Sequence, residues 1–211
     1  MKDSVHHYIE GLIRERSDFF SKMEKYALDH GVPIMESVGI EALLQILRIK
    51  EPRRILEIGA AIGYSALRMA DALPTTQIIT IERDEERALL AQQNIEESQM
   101  GERVFLLIGD ALEIENTVSS YGPFDVIFID AAKGQYKRFF EMYSRYLDDK
   151  GIVITDNVLF KGLVAEEKIE HKRTAQLVKK IKQYNEWLMS HPDYDTVILP
   201  VGDGIAISKK G

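Results

Sequence analysis

The chain has 211 residues, of which 45% are hydrophobic and 29% are charged, as is typical of one soluble globular domain with a sizeable core. It contains no cysteine, which excludes disulfides, thiolate nucleophiles and zinc–thiolate sites, and it has neither a membrane-spanning apolar run nor a signal-peptide core, so we expect a cytoplasmic protein. The formal net charge of −7 argues against nonspecific nucleic-acid binding through a strongly basic surface, but it leaves room for a local basic patch.

The first 50 residues predict a helical arm. Apolar residues recur at helical spacing over residues 4–28, which indicates one or two amphipathic helices, and Gly31-Val32-Pro33 ends that pattern. Residues 37–47 carry a further amphipathic helical pattern. We expect this arm, residues 1–50, to precede an α/β core at residues 51–211 within a single domain.

Strand and helix patterns alternate after the arm, and each predicted strand is a short apolar run bounded by turn-forming residues. The last two strands are separated only by Val201-Gly202-Asp203, which favours an antiparallel hairpin over a crossover. The sequence therefore predicts an α/β fold, with a seven-stranded, mostly parallel sheet, one antiparallel strand and helices on both faces. The predicted strands are 54–58, 77–81, 104–108, 124–129, 151–155, 194–200 and 204–208, and the predicted helices are 64–73, 85–98, 111–119, 135–147 and 168–189.

The sequence RRILEIGAAIGYS, residues 53–65, predicts a ligand-binding turn between the first strand and the following helix. Gly59 and Gly63 would let the backbone approach a ligand where a Cβ would clash, and the helix N-terminus offers unpaired N–H groups to an anion. The loop reads G-A-A-I-G, so it matches neither the dinucleotide pattern nor the phosphate-binding loop. The next strand ends in Glu82, which could accept hydrogen bonds from a ribose.

Acidic or amide residues close all five predicted parallel strands, where open α/β sheets bind their ligands. Asp130, Asp156 and Asn157 form a subset at two strand ends that should be neighbours. Two carboxylates and one amide oxygen, without histidine or cysteine, are typical ligands of Mg²⁺. The alternative is that these residues only cap a helix and form a turn. The strand-end residues are Glu57, Glu82, Asp110, Asp130 and Asp156-Asn157.

Segments across nearly the whole chain resemble the cation-dependent O-methyltransferase family, which includes caffeoyl-CoA and catechol O-methyltransferases. The matching segments are LEIGAAIGYS, TIERD, GDA, FDVIFIDAAK and GIVITDNVLF. The resemblance implies a Rossmann-like class I methyltransferase fold, S-adenosylmethionine as methyl donor and Mg²⁺ or another divalent cation as cofactor. It implies that Asp130, Asp156 and Asn157 hold the metal and that Asp130 and Lys133 are catalytic, with Lys133 a candidate general base. The implied donor-binding residues are Met35, Glu57, Gly59, Gly63, Ser65, Glu82, Asp110, Ala111 and Asp130.

The implied acceptor carries two adjacent oxygens, because such a molecule can chelate the cation with one oxygen poised for attack. The chain resembles small bacterial family members, among them the tRNA 5-hydroxyuridine methyltransferases, in its length, its helical arm and its VPIM segment. We therefore expect methylation of 5-hydroxyuridine at the tRNA wobble position, and a homodimer. A basic run over residues 168–182, and Lys161, could contact phosphates; the favoured alternative is a solvated helix face, because Glu166, Glu167 and Glu170 lie among these residues. A small catechol-like phenol is the alternative acceptor. A non-catalytic S-adenosylmethionine-binding regulator is a further alternative, although it would need no cation set.

Overall fold

A computed structural model of the chain describes residues 2–211, with side chains from residue 4 onward. The strands are β1 (Arg54–Ile58), β2 (Gln77–Glu82), β3 (Val104–Ile108), β4 (Phe124–Ile129), β5 (Leu147–Thr155), β6 (Tyr194–Leu199) and β7 (Ile205–Lys210). They form one sheet in the order β3-β2-β1-β4-β5-β7-β6. The first five strands are parallel and β7 is antiparallel to both of its neighbours, which confirms the predicted sheet with one reversed strand.

Eight α-helices are described. They are α1 (Lys2–Glu10), α2 (Asp18–His30), α3 (Ser37–Lys50), α4 (Tyr64–Ala72), α5 (Glu85–Ser98), α6 (Glu115–Ser119), α7 (Tyr136–Tyr143) and α8 (Lys172–Met189), with 3₁₀ helices at Lys133–Gln135, Ser144–Tyr146 and Phe160–Ala165. The amphipathic pattern over residues 4–28 is therefore two helices. None of the helices within residues 2–211 combines the length and the apolar composition needed to cross a membrane.

Four boundaries differ from the prediction by four residues, and the others differ by three residues or fewer. β5 begins at Leu147 instead of residue 151, because Leu147 pairs with Phe124 before the register shifts and Ile152 pairs with Val126. α7 correspondingly ends at Tyr143, and a 3₁₀ turn leads into the strand. α8 begins only at Lys172 instead of residue 168. α6 begins at Glu115 instead of residue 111, so Ala111 lies in the turn before this helix, where it lines the cavity described below.

Hydrophobic clusters cover both faces of the sheet. Ile55 points into one cluster with Phe20 of α2, Leu43 of α3 and Leu67 of α4, so arm and sheet share a core. Leu56, the next residue along β1, belongs to a second cluster, whose helical residues come from α6, α7 and α8. This alternation follows from the period of two in a strand. It confirms the prediction of helices on both faces.

The register of the parallel strands brings their carboxyl ends level with one another. Ile58 pairs with Ile81 on one side and with Ile129 on the other, and Ile129 pairs with Thr155. The ladder continues one step further, since the amides of Asp130 and Asp156 donate to the carbonyls of the neighbouring strands, each at 3.0 Å. The residues that follow these strands therefore meet at one edge.

Candidate active site

A cavity of about 930 Å³ opens at this edge of the sheet. Its volume lies at the upper end of the usual range for small-molecule sites, roughly 300–1,000 Å³, so a donor and an acceptor can be accommodated side by side. Most of the predicted site residues line it: Met35, Gly59, Ser65, Glu82, Asp110, Ala111, Asp130, Lys133, Asp156 and Asn157. Glu57 and Gly63, which were also predicted to bind the donor, lie behind the cavity wall.

Glu57 is completely buried beneath the glycine loop, residues 59–63. Its carboxyl group accepts hydrogen bonds from the hydroxyls of Ser65 and Thr80, both at 2.5 Å. Burial raises the pKa of Glu57 to about 7, and the two hydrogen bonds oppose that shift. Glu57 therefore orients Ser65, which does line the cavity, and does not itself reach a ligand there.

Both glycines of the loop have backbone conformations that disfavour a side chain, and Gly59 is also required by packing within the protein. Gly59 has φ +103°, and a Cβ at this position would overlap the carbonyl oxygen of Asp130. Gly63 has φ +81°, and its Cβ would lie 3.4 Å from the Cβ of Ala91 on α5. Gly59 also lines the cavity, so its predicted role of letting the backbone approach a ligand stays a prediction, whereas Gly63 does not line the cavity.

Glu82 lies at one end of the cavity, where it binds three backbone amides. Its carboxylate accepts hydrogen bonds from the backbone amides of Ala61, Arg83 and Asp84, at 2.8, 2.9 and 2.9 Å. A carboxylate has about four acceptor positions, so one remains for a ligand hydroxyl. Asp110 lies on the same side, where its Oδ1 accepts from the amide of Leu112 at 2.9 Å.

Asp130, Asp156 and Asn157 come together at the other end of the cavity. The side-chain nitrogen of Asn157 donates to Asp156 Oδ2 at 2.7 Å, and Lys133 Nζ donates to the side-chain oxygen of Asn157. Burial raises the pKa of Asp130 to about 6, although the charge of Lys133 opposes this rise. Burial and the charge of Asp130 raise the pKa of Asp156 to about 8.

The three side chains of this cluster offer only oxygen atoms as metal ligands, which restricts the ions that they could bind. Among the side chains described from residue 4 onward, no group of three or more histidine, cysteine, aspartate or glutamate residues could hold an ion. The predicted set instead combines two carboxylates with one amide, and the amide falls outside those residue types. Such a set excludes a typical zinc site and leaves hard cations.

Sequence reasoning missed several residues that line the same cavity, namely Glu36, Arg87, Phe160 and Asp203, whereas Lys161 was expected near the site and does line the cavity. Asp203 was interpreted only as part of the β6–β7 link. Its backbone carbonyl accepts from the amides of Leu159 and Phe160, at 2.8 and 3.2 Å, which brings the hairpin turn to the site. The sequence does show an acidic residue in a glycine-rich turn. That this turn lies beside the loop after β5 follows only from the tertiary structure.

The comparisons with known proteins agree with this geometry. The family model described as O-methyltransferase matches residues 14–211. A catechol O-methyltransferase of Niastella koreensis is 32% identical, with 98% of this chain and 96% of that protein covered. A solved Staphylococcus aureus structure, provisionally named caffeoyl-CoA O-methyltransferase, has 38% identity and a TM-score of 0.92, with 98% of this chain and 99% of that chain covered. The O-methyltransferase TomG of Streptomyces achromogenes, in complex with S-adenosylmethionine, has 25% identity and a TM-score of 0.82, with 98% and 96% covered.

The chain therefore belongs to the O-methyltransferase family. It is an S-adenosylmethionine-dependent O-methyltransferase of the caffeoyl-CoA and catechol type, as its sequence predicted. Membership in this family of enzymes counts against the alternative of a non-catalytic regulator.

Proposed function

We propose that this enzyme methylates a hydroxyl oxygen of an acceptor that is held on a divalent cation, most simply Mg²⁺. The observation that carries the proposal is the meeting of Asp130, Asp156 and Asn157 at one end of the cavity. Their oxygens are hard ligands of the kind that Mg²⁺ prefers. Burial raises the pKa of both carboxyls, and a cation would relieve the repulsion that Asp130 exerts on Asp156, so these residues fit such an ion.

A cation held by these three residues would lower the pKa of a coordinated acceptor hydroxyl and hold its oxygen in place. Lys133 is the residue that we propose as general base, with Asp130 beside it. Its Nζ contacts Asn157 and lies 5.7 Å from the centre of the Phe160 ring, at the acceptor end of the cavity. A Lys133 side chain that has lost its own proton would take up, in that position, the proton that leaves the acceptor hydroxyl.

We assign the donor to the part of the cavity between the glycine loop and the end of β3. Glu82 has an acceptor position left for a ribose hydroxyl, Asp110 and Ala111 lie beside it, and Ser65 and Met35 line the methionine side. Relatives support this assignment: TomG is in complex with S-adenosylmethionine, and a Bacillus cereus O-methyltransferase, also 25% identical, is in complex with SAH. Holding the donor methyl in line with the acceptor oxygen would turn a bimolecular methyl transfer into an effectively unimolecular one.

Two acceptors with adjacent oxygens remain candidates. Names of relatives, among them catechol and caffeoyl-CoA O-methyltransferases, favour a small phenol. The resemblance to small bacterial members favours 5-hydroxyuridine of tRNA, and exposed basic residues of α8 would be available for phosphates. Lys180, one of these residues, reaches Gly134 beside the cavity. The exposed basic residues on or next to α8 are His171, Lys172, Arg173, Lys179, Lys180 and Lys182.

The two acceptors are separated by comparing nucleosides of total tRNA from a deletion strain with methylation of catechol by the purified enzyme. Loss of 5-methoxyuridine with accumulation of 5-hydroxyuridine would assign the tRNA acceptor. Unchanged nucleosides together with magnesium-dependent methylation of catechol would assign the phenol. If the enzyme methylates either acceptor equally well in chelator, the cation mechanism is wrong.

A further inference from the structure

The loop that follows β5, residues 157–162 (the cation-site loop), has an unfavourable backbone. Asn157, Phe160 and Lys161 have φ of 59°, 44° and 56°, in the left-handed region that residues with a Cβ seldom adopt. Such conformations persist only where the surroundings hold them, and they concentrate at functional sites. All three residues line the cavity, so their placement must be maintained from outside the loop.

The turn between β6 and β7 holds one side of this loop. The amide of Val158 donates to the carbonyl of Gly204 at 3.0 Å, and the amides of Leu159 and Phe160 donate to the carbonyl of Asp203. Leu159 packs so closely on Gly204 that a Cβ there would overlap its side chain. These contacts bind the N–H groups of residues 158–160, while the carbonyl of Val158 faces α8.

Asn185 of α8 reaches that carbonyl. Its side-chain nitrogen donates to the oxygen of Val158 at 2.8 Å. Its own side-chain oxygen is buried and has no hydrogen-bond partner among the described residues. A buried oxygen without a partner is unfavourable and requires an explanation, because an apolar side chain would avoid that cost.

We propose that Asn185 is a positioning residue that holds the cation-site loop in its left-handed conformation through the carbonyl of Val158. Val158 directly follows Asn157, so the hydrogen bond from Asn185 sets the direction of the Asn157 side chain and of the segment that carries Phe160 and Lys161. An asparagine that donates its N–H to Val158 must also bury its side-chain oxygen, which explains why that oxygen has no partner among the described residues. The inference rests on the proposed function, in which Asn157 is a ligand of the cation.

The test compares Asn185→Leu and Asn185→Asp with the matched control Gln183→Leu, which changes an exposed amide on the same helix. Asn185→Leu removes the unpaired oxygen but deprives Val158 of its donor, so the two effects on stability oppose each other. Asn185→Asp keeps the shape of the side chain and turns an oxygen toward the carbonyl of Val158. Hydrogen exchange of residues 158–162 is measured on the metal-free protein, and the magnesium concentration for half-maximal activity is measured beside the KM for S-adenosylmethionine.

We expect faster exchange of residues 158–162 in both Asn185 variants, with Asn185→Leu unfolding at a urea midpoint close to that of the wild type. We expect the magnesium requirement to rise about tenfold or more, as is usual when the support of a metal ligand is removed, while the KM for S-adenosylmethionine stays the same. Exchange that matches the Gln183→Leu control in both variants would overturn the proposal. If the wild type needs no cation, the proposed function fails, yet the exchange measurement still decides the role of Asn185.

Discussion

Glu57 lies beneath the glycine loop, where a carboxyl group is completely buried between two hydroxyls. Burial raises its pKa from 4.5 to about 7. Between these values the folded protein keeps a proton that the unfolded chain releases. The stability that this group contributes is therefore present below pH 4.5 and is lost as the pH rises through about 7.

We predict that Glu57→Gln removes this loss, because glutamine stays neutral at every pH. Relative to the wild type, the free energy of unfolding of the variant should increase between pH 5 and pH 8 by up to about 3 kcal/mol. Urea denaturation at several pH values measures the difference, and Glu102→Gln, which changes an exposed carboxyl, serves as control. Parallel pH profiles for Glu57→Gln and the wild type would contradict this account.

Gly59 lets β1 and β4 come together at their ends, since a Cβ would overlap the carbonyl of Asp130 in addition to straining a backbone at φ +103°. We predict that Gly59→Ala lowers the free energy of unfolding by roughly 3 kcal/mol or more. Gly31→Ala is the matched control, because Gly31 has φ +65° but nothing within 4 Å of its Cβ. It should cost only the backbone strain, about 1–2 kcal/mol. Equal losses in the two variants would exclude the overlap at Gly59.

The sequence was sufficient to predict most of the residues around the cavity but not the reasons for them. Strand ends and turn chemistry identify Glu82, Asp130 and Asp156, because their position follows from the direction of a parallel sheet. Glu57 was expected to contact the donor, yet its carboxyl group lies beneath the glycine loop and accepts hydrogen bonds from Ser65 and Thr80. Which side of a buried turn a carboxyl faces depends on the neighbouring strand, and a single sequence does not contain that information.

At the scale of elements, a polar network ties the arm to the helix after the glycine loop. The hydroxyl of Tyr64 donates to Glu24 of α2 at 2.5 Å and accepts from Arg68 at 2.8 Å, and Arg68 also donates to Glu41 of α3 at 2.5 Å. Tyr64 lines the cavity and precedes Ser65. The arm therefore helps to place the start of α4.

We predict that Tyr64→Phe destabilises the protein by about 2 kcal/mol, because it removes two hydrogen bonds to charged groups, although Arg68 keeps Glu41 and Glu24 keeps Arg16 as partners. The ring and its packing on Phe20 are retained. Chemical denaturation measures the loss, and Tyr26→Phe, at a half-buried position of α2, is the control. A variant as stable as Tyr26→Phe would mean that the network contributes nothing.

Element types were predictable from periodicity, whereas several boundaries were not. The early start of β5 includes the exposed residues Asp148, Asp149 and Lys150, which lack an apolar pattern and lie in the register shift between the Leu147–Phe124 and Ile152–Val126 pairs. The left-handed residues Phe160 and Lys161 had no local signal either, because neither glycine nor asparagine marks them. Tertiary contacts decide such segments.

At the scale of the whole molecule, the predicted homodimer remains a proposal, and α1 is the element that motivates it. Tyr8 and Leu12 near its end are 68% and 65% exposed, and Val5 and Ile9 are exposed beside them. Exposed apolar surface of this kind marks interaction sites. We predict that the wild type sediments as a dimer and that the double variant Tyr8→Asp and Leu12→Asp sediments as a monomer with unchanged circular dichroism. A wild-type monomer at micromolar concentration would contradict this prediction.

The whole fold brings the ends of five strands to one cavity. We have proposed that the donor binds at the ends of β1, β2 and β3 and the acceptor at the ends of β4 and β5. The account depends on Asp130, Asp156 and Asn157 holding a cation at the acceptor side. Neither the sheet order nor the glycine loop would distinguish this enzyme from one that needs no metal.

Calorimetric titration with Mg²⁺ in the presence of S-adenosylhomocysteine tests that claim most directly. The account predicts saturable binding of one ion by the wild type and by Asp71→Asn, an exposed carboxyl on α4, and at least about tenfold weaker binding by Asp156→Asn. Binding of equal strength by Asp156→Asn, or no binding by the wild type, would contradict it.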